Sequence, residues 1–249
     1  MRSALIAHTL RRLALTIPVL LGVVSITFAA TKLVPGDPLV GFLPDNPTPA
    51  QHEALAKEFG LDQPLPVQWA RYVVRAAQGN FGRSLRTGNS VAADLSTAIP
   101  ATVELTFVAF VLTFTMGLAA GIYTAVRRGT PADQVLGVAS LGGIAAPIFW
   151  TALMAQVLFY GTLKWLPLGG RVDSYLAFSG HVRPLTGLLV VDSVLSRSWA
   201  TAGSALAHLV LPAAVLAYRE SALVVRITRA TMLDVLQAHY VRGHETGAW

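Results

Sequence analysis

The sequence predicts an all-α integral membrane protein: four transmembrane helices, an external subdomain of short helices and a cytoplasmic C-terminal segment. Composition is the first reason. Of 249 residues, 53% are hydrophobic and 13% charged, about half the charged fraction of an ordinary soluble domain. The second is four long runs with almost no charge, and the third is the segregation of Lys and Arg to alternate ends of those runs.

A helical span of the hydrocarbon core needs roughly 20 mostly apolar residues, because lipid offers no partner to a bare backbone group. Runs 13–31, 105–126 and 134–163 carry no charge, and 198–225 carries only Arg219 and Glu220. The stretch 184–191 is apolar but too short to cross. Arg2, Arg11 and Arg12 precede the first run, Arg127 and Arg128 separate the second from the third, and Arg226, Arg229 and Arg242 follow the fourth. Alternating spans put all three groups on one side, which the positive-inside rule makes the cytoplasm. Both termini are then cytoplasmic. The predicted organisation is a cytoplasmic N-terminus (1–12), a first span (13–31), an extracytoplasmic subdomain (32–101) and a second span (102–126). A cytoplasmic turn (127–133), a third span (134–163), an extracytoplasmic loop (164–203), a fourth span (204–229) and a cytoplasmic segment (230–249) follow. The N-terminus also has features of a secretory signal, but the run is longer than the usual apolar region of about 7–15 residues and three more spans follow. It reads as a retained helix.

Within the external segment, Thr48, Pro49 and Gln51 stand in capping-box order and Gly60 stands where a helix stops, which predicts a helix over residues 49–59. A second helix over 67–78 gathers Trp69, Tyr72, Val73 and Ala76 on one face and Arg71 with Arg75 on another. That apolar face is expected to pack on the membrane helices. Gly117 and Gly121 have the four-residue spacing that lets two helices approach closely.

Net charge is +6 and the sequence pI about 10.1. The basic residues flank apolar runs, so membrane orientation explains them better than nucleic acid does. Without cysteine there are neither disulfides nor thiolate metal sites. No phosphate-binding Gly-x-x-x-x-Gly-Lys-Ser/Thr loop is present and no zinc spacing occurs among the six histidines. Catalytic, cofactor and metal residues are therefore expected to be none, and the chain is not expected to be an enzyme.

A series of short motifs lies around the spans: Pro35-Gly36-Asp37-Pro38, Gly60-Leu61-Asp62-Gln63-Pro64-Leu65, Gly79-Asn80-Phe81-Gly82-Arg83-Ser84 and Pro100-Ala101-Thr102-Val103-Glu104-Leu105. Pro147-Ile148-Phe149-Trp150, Trp165-Leu166-Pro167-Leu168-Gly169-Gly170 and His208-Leu209-Val210-Leu211-Pro212 complete it. Each alone is a turn or helix stop at a membrane boundary. Their order and spacing from the first span to about Arg242 resemble the permease subunits of ABC importers for dipeptides and oligopeptides, a family that also includes nickel and glutathione permeases.

The resemblance implies several partners: a second permease, two ATP-binding subunits that hydrolyse the ATP, an extracytoplasmic substrate-binding protein and membrane lipid, with no nucleic acid. It implies a multi-pass protein of the bacterial inner membrane that forms half of a translocation path and has no cofactor of its own. It also implies that the stretch from Arg226 leads into a helix docked on the ATPase, with Asp234, His239, Tyr240, Val241 and Arg242 as coupling residues. Thr231 with Asp234 can cap a new helix start there; an amphipathic helix lying at the headgroups is the alternative.

Charges inside spans cost about 2.5–3.5 kcal/mol on insertion scales. Arg219 and Glu220 are therefore expected to face the protein interior, a hydrated path or the interface with the second permease. Glu104 reads as a structural acid in the first turn of the second span, favoured by that helix's own dipole. His208 reads as a satisfied polar residue. Beyond Arg242 the resemblance stops at Gly243-His244-Glu245-Thr246-Gly247-Ala248-Trp249, where the family continues into two more spans, so a C-terminally truncated chain is expected. A truncated remnant that inserts without transporting is one alternative, and a nickel or glutathione permease is another. A polytopic membrane enzyme is a third, with Glu104, Arg219 and Glu220 its few candidate groups.

Overall fold

A computed structural model describes residues 2–33, 39, 43, 47–84, 86–178 and 182–237. Among the described residues the chain is helical, and its one extended pairing is an isolated antiparallel bridge between Arg83 and Ser90. It divides into two units, Met1–Leu95 and Ser96–Trp249.

The first unit is built on α1 (Arg2–Leu33), a helix that extends beyond the uncharged run at both ends. Its apolar residues are exposed all round, Leu13, Ile17, Leu20 and Ile26 among them. That is the pattern of a helix whose surroundings are themselves apolar. Its few hydroxyls bond back along the helix, Thr16 Oγ1 to Arg12 O at 3.0 Å and Thr27 Oγ1 to Val23 O at 2.9 Å, so they present little unpaired polarity to lipid.

Helix α2 (Pro49–Phe59) starts in the expected capping box: Thr48 Oγ1 accepts from Gln51 N and Gln51 Oε1 accepts from Thr48 N. It stops at Gly60, whose φ of +70° is left-handed and costs glycine little. Helix α3 (Leu65–Ala77) follows. Its Trp69 Nε1 donates to Ser25 Oγ at 2.9 Å, its Tyr72 ring lies 5.8 Å from that of Phe28, and its Gln68 accepts from Lys32 Nζ at 2.6 Å. The predicted apolar face of α3 therefore packs on α1.

The helix that contains the predicted second span starts ahead of it. Helix α4 runs Val91–Val126 and carries Pro100 in its interior, so the external segment gives way to helix about ten residues before 101. After a turn at Gly129 (φ +80°) come α5 (Pro131–Ala145), α6 (Ile148–Gln156) and a π-helical continuation (Val157–Thr162). The uncharged run 134–163 is thus two helical pieces, not one straight span, and they meet at 110°. The cause is local. Proline disfavours α geometry in the residue before it, and Ala146 is extended (φ −81°, ψ 134°) ahead of Pro147.

Short helices α7 (Ser174–Ala177) and α8 (Leu189–Leu195) lead to α9 (Trp199–Gln237), 39 residues long. Helices α5, α6 and α8 all pack on α9, through small residues: Ala205, Ala213, Ala217 and Ala222 of α9 are almost wholly buried. At Gly117 and Gly121 of α4 an added Cβ would come within 2.7 Å of Val224 Cβ and 2.6 Å of Thr228 Cβ. The glycine spacing marks a close helix contact, as predicted. By length and apolarity α1, α4 and α9 can each cross a membrane, and α5 with its continuation makes a fourth candidate if the bent pair is one span.

Candidate functional site

Polar groups of the second unit gather at two ends of α9. Near its start, Glu104 is 8% exposed. Its carboxylate accepts from Val190 N at 2.7 Å, Leu189 N at 3.3 Å and Arg171 Nη2 at 3.0 Å. Since α4 begins thirteen residues earlier, at Val91, Glu104 is not in the first turn of its own helix. It caps the N-terminus of α8 instead, so the dipole argument holds for a different helix from the expected one.

The loop before α8 folds around Asp192, which is almost completely buried. Burial alone pushes its carboxyl pKa up. Hydrogen bonds from the Thr186 amide and hydroxyl and from the Gly187 and Leu185 amides outweigh that and hold it below the ordinary carboxylate value. Within the same unit, Ser204 Oγ donates to Asp173 Oδ2 at 2.7 Å and His208 Nδ1 donates to Ser204 O at 2.8 Å. His208 is thus a satisfied polar residue. Among the described residues no three His, Cys, Asp or Glu side chains converge on a metal position.

At the other end, Thr130 caps α5 by accepting from Asp133 N, and the Asp133 carboxylate accepts from Gly129 N at 3.1 Å. The same carboxylate oxygen takes Arg229 Nη2 of α9 at 2.8 Å. This clasp ties the α4–α5 turn, with Arg127 and Arg128, to the end of α9. Sequence reasoning missed it, because the partners are 96 residues apart and Asp133 reads as an ordinary first-turn acid.

Arg219 and Glu220 lie near the midpoint of α9, 4.0 Å apart, with side chains 49% and 64% exposed. They are not buried in the chain's own interior. The next residue toward the core face on each side, Ala217 and Ser221, is buried, so the pair stands on the edge of α9 turned away from its packing.

Asp234 is exposed on α9, which continues unbroken through Thr231 to Gln237. The helix start expected at Thr231 and Asp234 is absent for that reason: intrahelical bonding carries straight through. His239, Tyr240, Val241 and Arg242 lie outside the described residues, as do four residues of the first motif, Pro35-Gly36-Asp37-Pro38.

Long apolar helices packed through alanine and glycine, with charge concentrated at their ends, define a polytopic helical membrane protein. Residues 117–246 match the family described as binding-protein-dependent transport system inner membrane component, and residues 5–106 match the N-terminal part of such membrane components. The chain belongs to this family, the permeases of ABC importers, and sits in the inner membrane.

Its relatives include a di/tripeptide transport system permease of Pseudomonas aeruginosa, 40% identical over 93% of this chain and 68% of its own length. A dipeptide transport system permease of Alkalihalophilus pseudofirmus is 34% identical over 96% of this chain and 70% of its own length. One of Escherichia coli K12 is 34% identical over 94% and 69%. The chain therefore spans little more than two thirds of these relatives.

Proposed function

We propose that this chain is the pore-forming permease subunit of an ATP-driven importer of di- and oligopeptides. It forms half of the translocation path beside a second permease, receives substrate from an extracytoplasmic binding protein and works with two separate ATP-binding subunits. It needs no cofactor of its own, since the partner subunits hydrolyse the ATP. Both termini are cytoplasmic, and the stretch containing Asp234, His239, Tyr240, Val241 and Arg242 meets the ATPase.

One observation carries the reading. Arg219 and Glu220 are exposed from their own chain within a helix apolar and long enough to cross a membrane, and a charged side chain turned to the lipid core costs about 2.5–3.5 kcal/mol. A hydrated path or the facing permease removes that cost. Peptide as cargo is supported by the relatives, which are permeases of di/tripeptide and dipeptide transport systems. A permease needs a permissive hydrated path more than a tight binding pocket.

Dipeptide uptake by cells dependent on this importer tests the proposal. Arg219→Gln and Glu220→Gln are each expected to lower uptake about tenfold, equivalent to about 1.4 kcal/mol, with the amount of chain in the membrane unchanged. Wild-type uptake by both variants removes these residues from the path and the interface. Failure of the unaltered chain to co-purify with any ATP-binding subunit sinks the importer role itself.

A further inference from the structure

A cavity of about 720 Å³ opens beside the Asp133–Arg229 clasp, between α5 and α9 with Thr124 of α4 at its edge. Its volume is within the roughly 300–1,000 Å³ usual for small-molecule sites. Its lining is graded along the helices. Asp133, Gln134, Arg226 and Arg229 line the clasp end, with Ala230 and Leu233 beyond it on α9, while Val138, Ser140 and Leu141 of α5 and Ala222 and Val225 of α9 line a largely apolar part on the other side.

The charges at the clasp end do not cancel. Asp133 is matched by Arg229 at 2.8 Å, and Arg229 Nε is buried without a hydrogen-bond partner among the described residues. Arg226 is exposed and has no acidic partner among the described residues. Among the lining residues one positive charge is therefore left over.

We propose that this groove binds one anionic phospholipid, its phosphodiester on Arg226 and an acyl chain along Val138, Leu141, Ala222 and Val225. A molecule with a negative head and an apolar tail matches both the surplus charge and the polarity gradient. A free phosphate would satisfy only the first. Basic pockets between membrane helices are a recognised setting for anionic headgroups. Gly137 forms part of the groove wall, and a Cβ there would meet nothing within 4 Å. The groove is open at this position, with room for a larger side chain to fill it.

Native mass spectrometry of the full chain, released from detergent micelles containing phosphatidylglycerol, phosphatidylcholine or inorganic phosphate, tests it. Phosphatidylglycerol is expected to remain bound in one copy at least fivefold more than phosphatidylcholine. Arg226→Gln should lower that preference about fivefold, the effect of one interfacial basic residue. Gly137→Leu, which fills the tail space without touching a charge, should lower retention of both lipids. Circular dichroism and thermal melting of both variants should match the unaltered chain, so that lost binding is not lost fold. Equal retention of the two lipids, as expected if the groove seats another polypeptide, overturns the proposal. So does full phosphatidylglycerol preference in Arg226→Gln, undiminished lipid retention in Gly137→Leu, or retention of inorganic phosphate in place of lipid.

Discussion

Glu104 shows how much one carboxylate does in this chain. It is nearly buried, yet its two oxygens accept from two backbone amides of α8 and from Arg171, which also donates to Gly187 O at 3.0 Å. Glu104→Gln keeps the shape but removes the charge and places an amide donor among donors. Hydrogen bonds to a charged group contribute about 1.5–3 kcal/mol, and breaking a buried ion pair costs about 3–5 kcal/mol. The variant is expected to lose about 2–4 kcal/mol in denaturant unfolding from detergent. Arg171→Ala should lose less, because Arg171 is 36% exposed and water can replace it. Equal, negligible losses would show that α8 is held by packing alone. The identity of Glu104 as a structural acid is legible in the sequence, since a lone acid at the edge of an apolar run must find a partner. Its partners are not. They come from Arg171, 67 residues on, and from the first turn of α8, 85 and 86 residues on, in a stretch that reads in the sequence only as too short to span.

Elements were legible wherever a local rule fixes them. Thr48, Pro49, Gln51 and Gly60 specify both ends of α2 without reference to anything distant. Gly117 and Gly121 announce a close helix contact, though not that Val224 and Thr228 supply it. The break between α5 and α6 is also locally encoded, at Ala146-Pro147, but hydropathy averages across it because both sides are apolar. The α4–α9 contact makes a sharp prediction about glycine. A methyl at Gly121 would sit 2.6 Å from Thr228 Cβ, a β-branched carbon with no flexible end to move aside, and 3.1 Å from Val225 O. Gly121→Ala should therefore destabilise by about 1–3 kcal/mol, the usual cost of overpacking. At Gly203 of α9 a Cβ meets nothing within 4 Å. Gly203→Ala should instead stabilise by about 0.5–1 kcal/mol through helix propensity. Thermal melting of the two variants side by side separates steric from intrinsic effects, and a shared sign would mean that α4 and α9 do not touch as described.

At the scale of the molecule, the distribution of charge predicts a direction across the membrane. The Asp133–Arg229 clasp places the α4–α5 turn and the end of α9 together, gathering Arg127, Arg128, Arg226 and Arg229 at one end of the second unit. Tyr175 of α7, 72% exposed, belongs to the connection between the bent pair and the start of α9. The positive-inside rule then puts position 128 in the cytoplasm and position 175 outside. The chain has no cysteine, so single replacements report cleanly. Arg128→Cys should react with a membrane-impermeant maleimide only after permeabilisation, and Tyr175→Cys should react in intact spheroplasts. Removing one arginine leaves the other basic residues to hold the orientation, so the label reads topology rather than creating it. Reaction of both positions from the same side would mean that the bent pair α5–α6 enters and leaves by one face. A 110° turn at Pro147 allows that geometry, whereas a straight third span would forbid it. The two labels thus decide whether 134–163 crosses the bilayer, which neither its length nor its hydropathy determines.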